Sequence, residues 1–393
     1  MKKNISILGS TGSIGKTVLE IVNKKSSFFN VNILAANKNY KLICKQIIKF
    51  KPKVFLVNNQ LIYLKVKKKF KHKNIKIIKN FDEKKNDLKK SDITVAAIPG
   101  IAGLYPTIEL TRRSKKILIA NKESIICGWN LIKKAALKNR TKIIPVDSEH
   151  FSIMKLLENS NIKDVKKIYL TASGGPFLKH NYKDLKKVKP HQAIKHPKWK
   201  MGKKISVDSA TLMNKILEVI EANKLFSVNQ KKIDIVVHPE SLVHAIIEFN
   251  NGLYKFIYHE TTMIIPLANA IFDKNFMIDN IFKPKKNKDS FFFKGLNFSK
   301  VDKKRFPIVK LKNRINEYFS TPIIINAANE ILVDHFLKEK ISFNTFYKYL
   351  LQVLNDRNYK KYAIKEPKSI NQILQIDKWS RNTVYKKIKY KNA

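Results

Sequence analysis

The feature that most limits what this chain can fold into is a glycine loop close to its start. Ile5-Ser6-Ile7-Leu8 reads as a buried strand, Gly9-Ser10-Thr11-Gly12-Ser13-Ile14-Gly15 follows it, and a helix continues from Lys16. Glycines permit a sharp turn and a close approach of backbone to a ligand, and the helix that follows offers unbonded N–H groups to a phosphate. On its own such a loop is a weak signal and fits an ordinary strand-to-helix turn. Its setting makes it specific. Val31–Ala35, Val54–Val57, Ile75–Ile78, Ile93–Ala97, Ile117–Ala120 and Ile143–Val146 are further short apolar runs, with amphipathic stretches such as Thr17–Lys24 and Lys41–Phe50 between them. That alternation predicts a parallel, doubly wound sheet covered on both faces, which binds ligands at the carboxyl ends of its strands.

The second strand ends in Ala35-Ala36-Asn37-Lys38-Asn39. Sheets that bind NAD usually place an acid here for the ribose 2′-hydroxyl. None is present, and Lys38 between two amides suits a 2′-phosphate, so NADPH is the expected cofactor. A surface lysine is the plainer reading of Lys38 in so lysine-rich a chain.

With 393 residues the chain exceeds one ordinary core, and the pattern divides it. The expected fold is α/β: a Rossmann-type sheet over 1–146, a central α+β catalytic domain over 147–282, a linker over 283–311 and a helical domain over 312–393. In the centre, Lys167–Thr171 and Ile233–Val237 read as strands, and Val243–Glu248 and Tyr254–His259 as a hairpin through Asn250-Asn251-Gly252. Ser209–Asn223 reads as one helix. Lys283–Arg305 lacks periodicity and reads as a surface linker. A helical region runs from Ile323 to about Leu354, with a short helix near Ser369–Ile376 and a frayed basic tail over Lys386–Ala393.

Composition excludes several classes. Apolar residues make up 44%, too many for a disordered chain, and no run is long enough to span a membrane. No export signal precedes the first strand, which points to the cytoplasm. Cys44 and Cys127 are far apart and read as small buried side chains. The net charge of +49 invites a nucleic-acid reading, but it comes mainly from lysine spread along the whole chain, whereas base and bidentate phosphate contacts favour arginine. No nucleic acid and no membrane are therefore expected as partners. The charge can still speed capture of an anionic substrate.

Two separate segments, carrying three carboxylates between them, point to a metal. Asp147 and Glu149 follow an extended segment two residues apart, so strand parity would turn both carboxylates the same way. Asn214 and Glu218 are four apart on the predicted helix, and Lys215 fits the same face. Three carboxylates without a cysteine or a histidine pair select a hard cation, Mg²⁺ or Mn²⁺, with Co²⁺ as a further candidate. Singly, each acid is more simply a solvated charge or a helix cap. Together they suit a metal and a phosphorylated small molecule, which with the dinucleotide loop suggests a sugar-phosphate reductase.

The longer motifs carry a resemblance. Gly9–Gly15, Ala120-Asn121-Lys122-Glu123-Ser124, Val146-Asp147-Ser148-Glu149-His150, Ser173-Gly174-Gly175-Pro176-Phe177, His196-Pro197-Lys198-Trp199-Lys200-Met201-Gly202, Ser206–Lys215 and Val237-His238-Pro239-Glu240-Ser241 are similar, in order, to 1-deoxy-D-xylulose-5-phosphate reductoisomerases. The resemblance implies rearrangement of 1-deoxy-D-xylulose 5-phosphate and NADPH-dependent reduction to 2-C-methyl-D-erythritol 4-phosphate, in isoprenoid precursor synthesis. It implies that Asp147, Glu149 and Glu218 are the metal ligands and that Lys122, Glu149, His196 and Glu218 are catalytic. Substrate would be held by Lys122, Ser148, Glu149, Ser173, His196, Trp199, Ser209, Asn214, Lys215 and Glu218. NADPH would be lined by Thr11, Gly12, Ser13, Ile14, Asn37, Lys38, Asn39, Asn121, Glu123 and Gly202. His196–Gly202 resembles a mobile flap in which Trp199 covers the substrate. A homodimer is implied as well, with the dimerisation sheet in the 147–282 domain.

The chain departs from the family at His259-Glu260-Thr261-Thr262-Met263-Ile264-Ile265-Pro266-Leu267, where members commonly carry Gly-x-Pro-Asp-Met-Arg-x-Pro-Ile. Thr262 and Ile264 replace the acid and the arginine, which bears on the central domain or the subunit contact. The C-terminal third is only loosely similar, although Asn326-Ala327-Ala328-Asn329-Glu330 fits the family's helical domain. Two rival readings compete: a metal-independent NADPH-dependent aldehyde or semialdehyde dehydrogenase, and a lysine-rich nucleic-acid-binding protein with steeply salt-dependent binding.

Overall fold

The computed structural model describes residues 1–81, 88–199, 201–273, 276–282 and 295–392. In chain order the elements begin β1 (Lys3–Leu8), α1 (Ser13–Lys24), β2 (Phe29–Ala36), α2 (Tyr40–Phe50), β3 (Val54–Val57), α3 (Gln60–Lys69) and β4 (Lys76–Ile78). They continue with β5 (Ser91–Ala96), α4 (Leu104–Thr111), β6 (Ser114–Ile119), α5 (Lys122–Asn139), β7 (Lys142–Pro145), α6 (Ser148–Leu156), β8 (Val165–Ala172), α7 (Pro190–Ala193), α8 (Lys203–Thr211) and α9 (Met213–Phe226). The remainder is β9 (Ile233–Val237), β10 (Val243–Phe249), β11 (Tyr254–Tyr258), α10 (Ile264–Phe272), β12 (Ser299–Lys300), α11 (Thr321–Leu337), α12 (Phe346–Leu354), α13 (Tyr359–Ala363) and α14 (Ile370–Asn392). The chain forms two compact units. One holds Met1–Ser124, Trp129–Phe151 and the described part of Thr262–Phe293. The other holds Ile125–Gly128, Ser152–Thr261 and the described residues from 295 onward.

The first unit is built on a seven-stranded sheet of order β4-β3-β2-β1-β5-β6-β7. Every neighbouring pair is parallel. The expected doubly wound sheet is therefore present. Its strands read as unbroken Val, Ile and Leu runs because helices bury both faces: Ile5, Ile7, Leu8, Ile33, Leu34 and Phe55 are all fully buried. Strand order reverses between β1 and β5, and in such sheets the ligand crevice opens at that switch, beyond the carboxyl ends. The glycine loop leaves β1 there. α10 belongs to this unit and sets the Phe272 ring edge-on to Phe28 and Phe29, at 6.4 and 5.6 Å between centroids. The buried Lys116 of β6 donates to Ala270 O at 2.7 Å and pairs with Asp273 Oδ2 at 2.7 Å. That cation closes the carbonyl end of α10, where the helix dipole is negative.

The second unit carries a five-stranded mixed sheet of order β11-β10-β8-β9-β12. β10 and β11 form the expected antiparallel hairpin, and β8 runs parallel to β9. α9 buries Ile216, Leu217, Val219 and Ile220 in this unit. Residues 283–294 of the predicted linker lie outside the described residues. Its later part contributes β12, which pairs with β9.

Three local expectations give way. Ser209–Asn223 is not one helix: Leu212 takes a left-handed conformation, φ 61°, and separates α8 from α9. A buried leucine holds that break, since its side chain gains more from the core than the backbone loses. The helix near Ser369–Ile376 is the start of the 23-residue α14, and the tail read as frayed is its last turns, with Ala393 outside the described residues. Ile373, Ile376, Val384 and Ile388 bury one stripe along α14, which outweighs the lysines on its other faces. Finally, Asp147 and Glu149 are not in a strand: β7 stops at Pro145 and α6 starts at Ser148.

Candidate active site

In the first unit the glycine loop is built so tightly that two of its glycines are obligatory. A Cβ on Gly15 would stand 2.3 Å from Gly9 O and 2.6 Å from Ser10 Cα. Gly9 has φ +82°, and a Cβ there would meet Ala97 O at 2.5 Å. Gly12 is exposed, and a Cβ there would press less severely on the same Gly9 oxygen, at 3.3 Å. α1 starts at Ser13 with no side-chain cap and no acid in its first turn. Its N–H groups therefore face outward with the positive end of the helix dipole, a place for an anion. Thr11, Gly12, Ser13 and Ile14 all retain exposure there. Asn37, Lys38 and Asn39 follow β2 as an exposed loop without an acid, and Asn39 also caps α2 by accepting from Leu42 N at 3.1 Å.

Asn121 turns out to be a junction. Its Oδ1 accepts from Ser124 N at 2.8 Å as the cap of α5, while its Nδ2 donates to Ile98 O and to Gly100 O. The amide thus fixes the segment after β5 beside the start of α5, and Glu123 sits buried in the first turn. One residue on, the buried Lys122 reaches Asp147, with 3.0 Å between Nζ and Oδ2. His150 Nδ1 lies 3.6 Å from the other Asp147 oxygen. Burial works to raise the Asp147 pKa. The Lys122 charge, His150 and a bond with Glu149 overcome it and hold the carboxyl well below its ordinary range. Asp147 O accepts from Phe151 N at 2.8 Å, so the residue stands immediately before α6 and takes its first helical bond. Glu149 lies in the first turn, where Ser148 Oγ donates to its Oε2 at 2.6 Å. Asp147 and Glu149 oxygens lie within 4.8 Å of each other. The helix start brings these carboxylates together, in place of strand parity.

In the second unit Gly174 and Gly175 have φ +80° and +64°. A Cβ on Gly175 would come within 3.0 Å of Ser209 O and Ala210 Cα, so the Ser173 loop lies directly on α8 near Ser209. Ser173 Oγ is 2.9 Å from His196 Nε2 and accepts from Gly175 N at 3.1 Å. His196 Nδ1 accepts from the N–H groups of Lys198 and Trp199, at 3.1 and 2.9 Å. A nitrogen that accepts twice carries no proton, so Nε2 carries it and donates to Ser173. Ser173 Oγ then receives two hydrogen bonds, and its own hydrogen is not committed to any of the described residues. Burial first, and the Lys215 charge second, push His196 down to about 4, which keeps this tautomer neutral.

On α9 the expected face is present. Asn214 Nδ2 donates to Glu218 Oε1, and Lys215 Nζ lies 2.6 Å from Glu218 Oε2. Glu218 and Lys215 are buried. Gly202 is exposed at the start of α8. In the expected flap, Lys200 lies outside the described residues. Trp199 is half-buried and sets its ring edge against His244 at 6.0 Å, and His244 stacks on His259 at 4.0 Å.

Sequence reasoning missed several supports. The Lys122–Asp147 pair joins side chains 25 positions apart and has no local signature. Asp208, inside a recognised motif, proves to be a brace: it accepts from Asn329 of α11 at 2.7 Å and pairs with Lys204 at 3.0 Å. His238 is likewise internal, its Nε2 accepting from Leu242 N and Val243 N at 3.2 Å each.

Comparisons with known proteins agree along the chain. The family described as 1-deoxy-D-xylulose 5-phosphate reductoisomerase matches residues 5–128, its C-terminal domain matches 143–226, and a further DXP reductoisomerase C-terminal domain matches 260–383. The reductoisomerase of Pelagibacter ubique is 43% identical over 379 residues, 95% of this chain and 97% of the relative. That of Clostridium novyi is 38% identical over 99% of this chain and 100% of its own. Among solved structures, the Zymomonas mobilis reductoisomerase in complex with NADPH superposes with a TM-score of 0.88 at 30% identity, covering 99% of each chain. A DOX-P reductoisomerase in complex with NADPH, fosmidomycin and magnesium superposes at 0.89 and 30% identity, covering 98% of each.

Proposed function

The chain belongs to the 1-deoxy-D-xylulose 5-phosphate reductoisomerase family, and from that premise we propose that it rearranges 1-deoxy-D-xylulose 5-phosphate and reduces the product with NADPH to 2-C-methyl-D-erythritol 4-phosphate. The observation that carries the reading is similarity over nearly the full length, with the acidic, amide and lysine motifs in place. The metal-independent dehydrogenase and the nucleic-acid-binding protein lose their ground with it.

The residues suit the groups this reaction needs. Asp147, Glu149 and Glu218 offer only oxygen donors, the preference of Mg²⁺ or Mn²⁺. The cation, when bound, supplies Lewis acidity to neighbouring carbonyl and hydroxyl oxygens. Asp147 is held ionised before any ion arrives, so binding need not displace a proton there. Thr11, Gly12, Ser13, Ile14, Asn37, Lys38, Asn39, Asn121, Glu123 and Gly202 are proposed to line NADPH. The obligatory packing of Gly9 and Gly15 supports a dinucleotide loop, and the acid-free loop at Lys38 supports NADPH over NAD. Hydride transfer is the cofactor's own chemistry.

The chain's own groups do the rest. Ser173, with its hydrogen uncommitted among the described residues, together with Ser209, Asn214 and Lys215, would bind the substrate phosphate by charge-assisted hydrogen bonds. Ser148 would hold a sugar oxygen beside Glu149. Lys122 would place its ammonium by the reacting carbons, where negative charge develops on oxygen. His196 keeps Ser173 aimed while staying uncharged. Trp199 would cover the bound sugar and exclude water. Fragments rejoin differently only if neither drifts, so positioning contributes heavily.

We further propose that residues 1–146 act as the cofactor domain, 147–282 as the catalytic domain and 312–393 as a helical domain after the 283–311 linker. The working form would be a cytoplasmic homodimer. No described helix is long and apolar enough to cross a membrane. The test is NADPH oxidation with 1-deoxy-D-xylulose 5-phosphate and Mg²⁺ or Mn²⁺. Glu149→Gln and Glu218→Gln should each lower kcat by at least about a thousandfold at unchanged circular dichroism. Full turnover in excess EDTA would sink the metal assignment.

A further inference from the structure

Gln46 lies on α2 and is 3% exposed. Both ends of its amide meet a single residue of the glycine loop. Its Nε2 donates to Ser10 O at 2.8 Å, and its Oε1 accepts from Ser10 Oγ at 2.7 Å. Ser10 N is already committed to Ala35 O, at 2.9 Å. Every polar group of Ser10 is therefore turned inward, away from any ligand, and two of the bonds end on α2. The same helix starts at Tyr40, directly after Asn37-Lys38-Asn39, with Asn39 as its cap. One rigid element thus carries the exposed basic loop at its N-terminus and grips the glycine loop from its buried face two turns further on.

We infer that Gln46 is a positioning residue that fixes the glycine loop relative to the Asn37–Asn39 loop, so that the pyrophosphate and the ribose 2′-phosphate of NADPH are met at one set separation. The inference rests on the NADPH reading above and adds to it a residue that touches no part of the cofactor. The physical reason is reach. A lysine at position 38 strengthens binding only if the pyrophosphate is already seated where the loop allows, and a loop that slides spreads that energy over several positions. A glycine-rich segment has little stiffness of its own, and a doubly bonded amide in a dry setting supplies it.

The test uses the full-length enzyme and equilibrium binding of NADPH and NADH without substrate. Gln46→Met keeps length and apolar volume but deletes both bonds. It should weaken NADPH roughly tenfold and NADH by less, so the preference for NADPH narrows. At saturating NADPH and substrate, kcat should stay within about threefold, giving an effect on KM and not on turnover. Ser10→Ala, which deletes one of the two bonds with little risk to folding, should give a smaller narrowing in the same direction. Unchanged binding, or equal weakening of both cofactors with only a lower melting temperature, would overturn the inference. Failure of the unaltered enzyme to bind NADPH would instead overturn the cofactor reading, so the two failures are distinguishable.

Discussion

At the scale of single residues, His196 shows how a neutral ring can be imposed by geometry. Two backbone N–H groups end on Nδ1, which leaves the proton on Nε2. Burial and the nearby Lys215 then depress its pKa to about 4, from an ordinary value of 6.5. The sign of the consequence follows. Below 6.5 the unfolded chain binds this proton and the folded protein does not, so stability is retained above that pH and is lost as pH falls from 6.5 toward 4. Ring ¹⁵N spectra should show the neutral Nε2–H tautomer, with Nδ1 unprotonated, at pH 6. A midpoint near the ordinary value would refute the argument. The glycine loop gives a second residue-scale expectation. Gly15→Ala places a methyl 2.3 Å from a carbonyl oxygen that cannot move without opening the loop. It should cost about 1–3 kcal/mol in stability and weaken NADPH binding, whereas Gly12→Ala, whose methyl would press on the same Gly9 oxygen at 3.3 Å and ask it to give only slightly, should cost distinctly less. Equal melting temperatures for the two variants would contradict this. Most of these residues were visible in the sequence as types and spacings. Their partners were not, because Lys122 and Asp147 pair across a strand and a long helix, and no periodicity encodes that.

Elements differ in how far their own residues determine them. The parallel sheet was legible because strands buried on both faces must be apolar throughout, and Ile5–Leu8 or Val54–Val57 can be little else. The break at Leu212 was not. No glycine or asparagine marks it, and a leucine adopts φ 61° only because the core rewards its burial. The full length of α14 is hidden for the opposite reason, since its last turns are lysine-rich and their helicity depends on distant partners. Arg381 of α14 pairs with Asp377 at 2.6 Å and also bonds Glu330 of α11. Burial works to lower the guanidinium's pKa, and the two carboxylates overcome it, holding the group more firmly protonated than usual. Arg381→Met would leave two largely buried acids facing each other without a cation and should destabilise the second unit by about 2–3 kcal/mol. A variant as stable as the parent at neutral pH would show that packing of Ile373, Ile376, Val384 and Ile388 alone secures α14.

For the whole molecule, the open question of assembly is one of edges and charge. β11 is the last strand of its sheet, so one side of its backbone has no strand partner among the described residues. Tyr254 and Phe256 are 58% and 50% exposed along it, and Leu253 just before it is 58% exposed. A bare edge with aromatic side chains invites strand pairing unless something covers it. A second copy would do so under two-fold symmetry, joining the sheets edge to edge. Opposing this is the net charge of +49, which makes two copies repel. Screening weakens that repulsion more than it weakens apolar burial. The proposed dimer should therefore tighten with added salt, the reverse of an assembly held by ion pairs. Sedimentation equilibrium should find twice the 45.6 kDa chain mass, with the monomer fraction falling between about 0.05 and 0.5 M salt. Tyr254→Lys with Phe256→Lys adds repulsion and removes the apolar contact at the same edge, and should yield monomers with an unchanged fold. A dimer that survives both substitutions would have to be joined through another surface, and one that salt dissolves would mean that ion pairs outweigh the repulsion.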